Sequence, residues 1–332
     1  MIQRAMIAPL IAALALGSTT LGCIPRSITL QLDADDGPVR QTRVVKGTSG
    51  AEIALIDLEG VIGSVGAFGS GISTDDLAAK LDAAARDDDI EAVVLRINSP
   101  GGSVAGSETL HGLIARFRER TGRPVVVSMG EVAASGGYYI AMAADRVVAQ
   151  PSTVTGSVGV IMPSINVSDG MSRIGVVSRP VLSSPNKNLA SPVDPINDEH
   201  YAILQGMIDD FYGQFRSLVL EARPGIADPD RMLDGRVFTG RQALEAGLVD
   251  ELGSLMDAFE AAKTLAGEPG ASLVKLHRSR SRPLTPYAQA AVGGSVDAGV
   301  GGFPWPSIDR PLGAGAYYLW LPPGSLSLSG SR

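Results

Sequence analysis

An α/β fold with a largely parallel sheet is predicted by three features of this 332-residue sequence. Short apolar runs of strand length recur at 53–58, 90–97, 125–129 and 145–149. Amphipathic stretches of helical period lie between them, with apolar residues such as Leu77, Leu81 and Ala84, then Leu110, Leu113, Ile114 and Phe117. The second run is almost wholly apolar, as expected of a strand covered on both faces. A repeated strand–helix–strand order places such strands side by side and parallel.

Taken in order, the chain opens with Arg4 followed by the apolar stretch 5–17, too short for a comfortable membrane span. Thr20-Leu21-Gly22-Cys23 then resembles the bacterial lipobox, which implies that residues 1–22 are a signal peptide and Cys23 a lipidation site. An ordinary secretory signal or an uncleaved signal anchor is the competing reading; in each case the chain is exported, and with the lipobox or the anchor it is membrane-attached at an extracytoplasmic face such as the periplasm. Residues 23–50 are mixed and polar and read as a linker, with room for an irregular strand. The folded domain is expected over 51–278.

Within that domain Ser73 or Thr74 caps the first helix, with Asp75 and Asp76 in its dipole-favoured first turn. Asp87-Asp88-Asp89 reads as a solvated turn rather than a metal site. A second helix is expected over about 104–120, and a third over 140–144 after the turn at Ser135. Residues 163–197 are rich in Pro, Ser and Asn and read as irregular loops with one strand near Val176. A long helix spans about 198–222, its Leu204, Met207, Ile208, Phe211, Phe215 and Leu218 forming one apolar stripe. A short strand near 235–240, a helix over 241–246 capped by Thr239 and ended by Gly247, a helix over 255–266 and a strand over 272–277 complete the domain. From 279 to 332 Pro and Gly rise and periodicity vanishes, so this tail reads as largely disordered.

Composition narrows the chemistry. A net charge of −7 argues against a nucleic-acid partner. One cysteine and three histidines leave no basis for a disulfide or a structural zinc site, and no cofactor motif stands out. Ala133-Ala134-Ser135-Gly136-Gly137 follows a strand-like run and precedes a helix, the layout of a nucleophile at a strand-to-helix turn. The competing reading is a Gly-rich turn with a capping serine. A serine hydroxyl needs a base, and His111, His200 and His277 all sit in packing or helical settings. Lysine is the alternative, and it acts as a base only when neutral. Between Lys80 and Lys263 the sequence has one, Lys187, in a Pro- and Asn-rich loop; an exposed loop lysine is the plainer reading. Gly101 and Gly102 form a turn at a strand end, where backbone N–H groups could hold an oxyanion.

The motifs Asn98-Ser99-Pro100-Gly101-Gly102, Ala134-Ser135-Gly136-Gly137-Tyr138-Tyr139 and Thr155-Gly156-Ser157-Val158-Gly159-Val160 resemble the signal peptide peptidase family of the SppA type. Gly235 to Gly240 and Ala246 to Gly253 match its C-terminal signature, and the resemblance covers about 51–265. It implies a Clp/crotonase-like fold of repeated ββα units with a long C-terminal helical segment. It also implies a Ser–Lys serine endopeptidase that cleaves remnant signal peptides or other membrane-associated peptides. By the same resemblance Ser135 is the nucleophile and Lys187 the general base. Ser157 orients the lysine, and Gly101, with Gly102 as second choice, supplies the oxyanion donor. Such proteins form rings, so a homo-oligomer is expected, with the serine and lysine supplied either by one chain or by neighbouring subunits. A crotonase-like acyl-CoA enzyme, or a non-catalytic lipoprotein scaffold that binds peptides, are the alternatives.

Overall fold

The computed structural model describes residues 37–63, 71–278, 283–288 and 317–319. Residues 1–22, expected to be a signal peptide, Cys23 and most of the 279–332 tail lie outside them. Strands β1 (Arg40–Val45), β2 (Glu52–Glu59), β3 (Val61–Ile62) and β4 (Gly71–Ile72) lead to helix α1 (Thr74–Arg86). Then come β5 (Ile90–Ser99), β6 (Gly101–Ser103), α2 (Val104–Thr121), β7 (Val125–Ala134), α3 (Gly136–Ala141), β8 (Arg146–Ala149) and β9 (Val154–Gly156). An arm follows, holding α4 (Ser168–Arg173) and the 3-10 turn Pro185–Asn188. The chain continues through α5 (Asp198–Ala222), α6 (Pro229–Met232), β10 (Val237–Thr239), α7 (Gly240–Glu245), β11 (Glu251–Leu252), α8 (Leu255–Ala266) and β12 (Ser272–His277). Tyr317–Leu319 forms β13.

The main sheet runs β1-β12-β2-β5-β7-β8-β11, with β9 paired to β7 and β10 to β9. Its centre, β12-β2-β5-β7-β8, is parallel throughout. Side-chain alternation sorts its residues onto two faces. Ile56, Leu95, Val127 and Val147 share a core with Leu77, Leu110, Ile114 and Phe215 from the helices. Ile53, Leu55, Val94, Val126 and Val148 point the other way and are covered by Leu255, Ala258, Phe259 and Ala262 of α8. A second sheet, β13-β6-β3-β4, collects the short strands that branch from the ends of β2 and β5. Two successive units therefore read main-sheet strand, second-sheet strand, helix, which is the ββα repeat.

The helix ends follow the capping chemistry of the sequence. Ser73 caps α1, accepting the Asp76 N–H at 3.3 Å. Ser254 caps α8 in a reciprocal box with Asp257.

Several elements differ from the sequence expectations. Residues 40–45, expected in a linker, form an antiparallel strand on β12. The strand expected near Val176 is not formed; α4 and turns take its place. The helix after Ser135 begins at Gly136, not at Ile140. Within the tail, the three residues of β13 are strand rather than irregular chain.

One irregularity positions the site. Between Ile97↔Met129 and Ser99↔Ala133, β5 advances two residues while β7 advances four. The Asn98 side chain accepts the Val132 N–H at 3.1 Å across this bulge.

Candidate active site

Ser135 stands at the junction of β7 and α3, with φ 53° and ψ −115°. A β-carbon-bearing residue at such a φ costs about 1–3 kcal/mol, sustained here by the surrounding hydrogen bonds. The Ser135 N–H donates to the Gly156 carbonyl at 2.8 Å, and its own carbonyl accepts the Tyr139 N–H at 2.8 Å. Beneath it, Tyr138 is fully buried and donates its hydroxyl to the Leu248 carbonyl at 2.7 Å. Burial pushes the Tyr138 phenol well above its ordinary range, so it remains a neutral donor. The Ser135 side chain is 1% exposed.

Glycines let the neighbouring segments close in. A β-carbon on Gly136 would lie 2.5 Å from the Ser107 hydroxyl and 3.1 Å from the Gly101 Cα. The first residue of α3 is thus packed against the β5–β6 turn, and Ser135 is brought beside Gly101 and Gly102. Gly101 donates its N–H to the Ser99 hydroxyl at 3.1 Å, within the turn. Gly102 is pressed against β3, where a β-carbon would sit 2.1 Å from the Ile62 carbonyl oxygen.

Ser157 joins the same cluster. Pairing of Ala134 with Gly156 sets Ser135 and Ser157 at the ends of adjacent strands. Ser157 also has a positive φ, 52°, and is 8% exposed. Its N–H donates to the Arg236 carbonyl at 2.7 Å, so the segment leading into β10 holds it in place. The backbone strain of the two serines has no signature in their residue types.

Lys187 lies elsewhere. It is exposed, in the 3-10 turn of the arm, and among the described residues its ammonium has no hydrogen-bond or ion-pair partner. The arm bonds mainly to itself: Val167 to the Pro192 carbonyl, and Asn188 to Asp194 at 2.8 Å. Hydrogen bonds from Ser178, Ser191 and Asn188 hold the Asp194 carboxyl below its usual range. A cavity beside this turn is lined by Asn188, Asp194, His200 and Tyr201, and by neither Ser135 nor Ser157. The structure therefore gathers Ser135, Ser157, Gly101 and Gly102 within one chain, and leaves Lys187 outside.

The three histidines pack as residues of the fold. His111 contacts the Tyr139 ring edge-on, and the His277 ring nitrogen lies 2.9 Å from the Thr42 hydroxyl. His200 is buried at the start of α5. Sequence reasoning quoted Ser99 in a motif without a role and missed Ser107; both are buried, Ser99 accepting the Gly101 N–H and Ser107 donating to the Ser103 carbonyl beside Gly136. Gly136 was visible only as part of a small-residue run.

Comparison with known proteins adds the following. The profile of peptidase family S49 matches residues 118–268, and that of Clp protease matches residues 68–155. A protease-named chain of Synechocystis sp. is 42% identical over 177 residues, covering 53% of this chain and 63% of that one. Protease 4 of Salmonella typhi is 39% identical over 66% of this chain and 35% of its own length. The chloroplastic serine protease SPPA of Arabidopsis thaliana is 32% identical over 74% of this chain and 37% of its own length. The chain thus spans between about a third and just under two thirds of these relatives. With its ββα repeats and parallel sheet the fold is Clp/crotonase-like, and over residues 118–268 the chain is similar to peptidase family S49.

Proposed function

We propose that this chain is a serine endopeptidase in which Ser135 attacks the peptide carbonyl and Lys187, delivered by a neighbouring copy, takes its proton. The observation that carries the reading is the strained Ser135 turn set beside the Gly101–Gly102 loop. The Gly101 N–H is already bonded to Ser99, so Gly102 is the better oxyanion donor. Gly136, as the first residue of α3, has an N–H with no intrahelical acceptor and is positioned to be a second. On this reading the Ser157 hydroxyl, at the end of the strand beside Ser135, holds the incoming lysine. An acyl ester on Ser135 then forms as the amine leaves, and water hydrolyses it.

The expected substrates are remnant signal peptides or other membrane-associated peptides, reached through attachment of the chain by a lipidated Cys23 or a signal anchor. No helix among the described residues is long and apolar enough to cross a membrane. Hydrolysis of a signal-peptide-derived fluorogenic peptide by the assembled protein tests the reading. Ser135→Ala is expected to abolish turnover, and equal rates in the two proteins would overturn it.

A further inference from the structure

The turn that carries Lys187 has no sheet behind it. Between Pro163 and Asn197 the regular structure is α4 and the 3-10 turn Pro185–Asn188. Val181, Leu182 and Val193 are exposed, so apolar burial does little to fix this stretch. Ordering such a loop costs conformational entropy at every residue, and side-chain hydrogen bonds are what oppose that cost here.

Those bonds converge on Asp194. Its carboxylate accepts the Asn188 side-chain N–H at 2.8 Å and the hydroxyls of Ser178 and Ser191. Its main-chain carbonyl accepts the Asn166 side-chain N–H, also at 2.8 Å. Asn166 in turn accepts the N–H and the hydroxyl of Ser168, at the start of α4, at 3.0 and 2.6 Å. One residue therefore ties together segments around 166, 178, 188 and 191. Asn188 directly follows Lys187. Its Oδ1 has no partner among the described residues, so the bond to Asp194 is what fixes that amide. Ala190 stands between Asn188 and Ser191 with φ 53°, a left-handed value that a β-carbon disfavours. Such a conformation persists where its surroundings hold it, and the two bonds to Asp194 bracket it.

We propose that Asp194 is the positioning residue for the Lys187 base. The inference rests on the reading of Lys187 as the group that takes the Ser135 proton. A base must be placed to within a fraction of an ångström, and a displacement of about 1 Å can cost about 100-fold in rate. A carboxylate that pairs with a lysine holds the ammonium charged, which disables a base. The Asp194 carboxylate is instead engaged by three neutral donors. It shapes the turn without touching the amine.

Steady-state hydrolysis of a fluorogenic peptide by the assembled full-length protein tests this. Asp194→Ala should lower kcat about 100-fold while KM stays within about twofold. Asn188→Ala, which removes only the bond next to the lysine, should lower kcat about tenfold. A double-mutant cycle separates placement of the lysine from general upkeep of the arm. On the Lys187→Ala background, with the residual rate read on an activated ester, removal of Asp194 should cost less than about twofold, since no amine is left to place. A second loss as large as the first would overturn the inference, because Asp194 would then act on something other than the lysine. A wild-type kcat in both single variants would overturn it as well. If Asp194→Ala does not assemble in sedimentation velocity, the same cycle run with Asn188→Ala decides. An active Lys187→Ala beside an inactive Ser135→Ala would remove the base assignment and this inference with it, leaving the serine; equal rates in wild type and Ser135→Ala would overturn the peptidase reading itself.

Discussion

The turn that carries Ser135 and the arm that carries Lys187 are built in opposite ways. Ser135 sits at the end of a central strand, its N–H and C=O both bonded and its side chain covered. The arm, residues 162–197, holds its backbone largely by internal bonds and turns apolar side chains outward. Val181 is fully exposed, Ile174 is 77% exposed, and Ile165 and Val177 are each more than 60% exposed. Burying such a side chain is worth about 1.5–3 kcal/mol, and a cluster of them left in water marks a contact surface. On the proposed reading the nucleophile half lies within one chain, and the exposed apolar side chains of the arm are the surface on which another copy would complete the base half.

The largest expected effect tests that division directly. Ser135→Ala and Lys187→Ala should each reduce peptide turnover by several orders of magnitude. Co-assembly of the two inactive proteins should restore a measurable fraction of the wild-type rate, because one supplies an intact serine and the other an intact lysine. Mixtures that stay inactive while assembling normally would return the lysine to its own chain.

A smaller loss is expected from Gly102→Ala. The added methyl would meet the Ile62 carbonyl oxygen at 2.1 Å, forcing the loop away from β3 and displacing its N–H. Turnover should fall about 100- to 1000-fold, as for loss of one oxyanion donor. Stopped-flow acylation against thermal unfolding separates lost chemistry from a general loss of fold.

The arm should respond differently from the core. Val181→Asp and Ile174→Asp are expected to shift the assembly toward smaller species in sedimentation velocity, with surface-like effects on monomer unfolding of within about 0.5 kcal/mol. Leu95→Ala, in the fully buried sheet, should instead cost about 2–5 kcal/mol by urea denaturation. Equal unfolding costs at the two places would erase the contrast.

The smallest effect is electrostatic. Burial, and then the nearby Arg118 charge, lower the His111 pKa, with Glu221 opposing. The unfolded chain therefore takes up a proton that the folded chain resists. This contribution to stability is constant above about pH 6.5 and falls as pH drops from there to the lowered folded value. His111→Gln should flatten that part of a stability–pH curve, and an unchanged slope would show that other groups set it.

These contrasts also explain what the sequence could reveal. Apolar runs such as 90–97 announced buried strands because the side chains alone pay for burial on both faces. Ser135 was legible as a candidate because Gly136 and Gly137 at the end of such a strand suit a nucleophile turn, although they suit an ordinary Gly-rich turn as well. β1 was not legible, since its exposed Arg40 and Gln41 become strand only by pairing with β12. The same holds for β6, β9 and β13, which are too short to show a period and exist through their neighbours. The positive φ of Ser157 goes with a hydrogen bond to the Arg236 carbonyl, far along the chain. Lys187 could be singled out as a candidate by elimination, but nothing around it in the sequence separates a base from the exposed loop lysine that the fold presents.

The bulge between β5 and β7 acts as a spacer whose length is counted in residues. Two additional residues of β7 are taken up between Met129 and Ala133, with the Asn98 side chain bridging to Val132. Strand faces alternate residue by residue, so loss of a single residue from 130–132 would turn Ala133 and Ala134 over and carry the serine to the wrong side of the sheet. Substitutions there can be absorbed, but a change in length cannot. Natural variation in this stretch is therefore expected to alter identities while preserving the interval from Asn98 to Ser135.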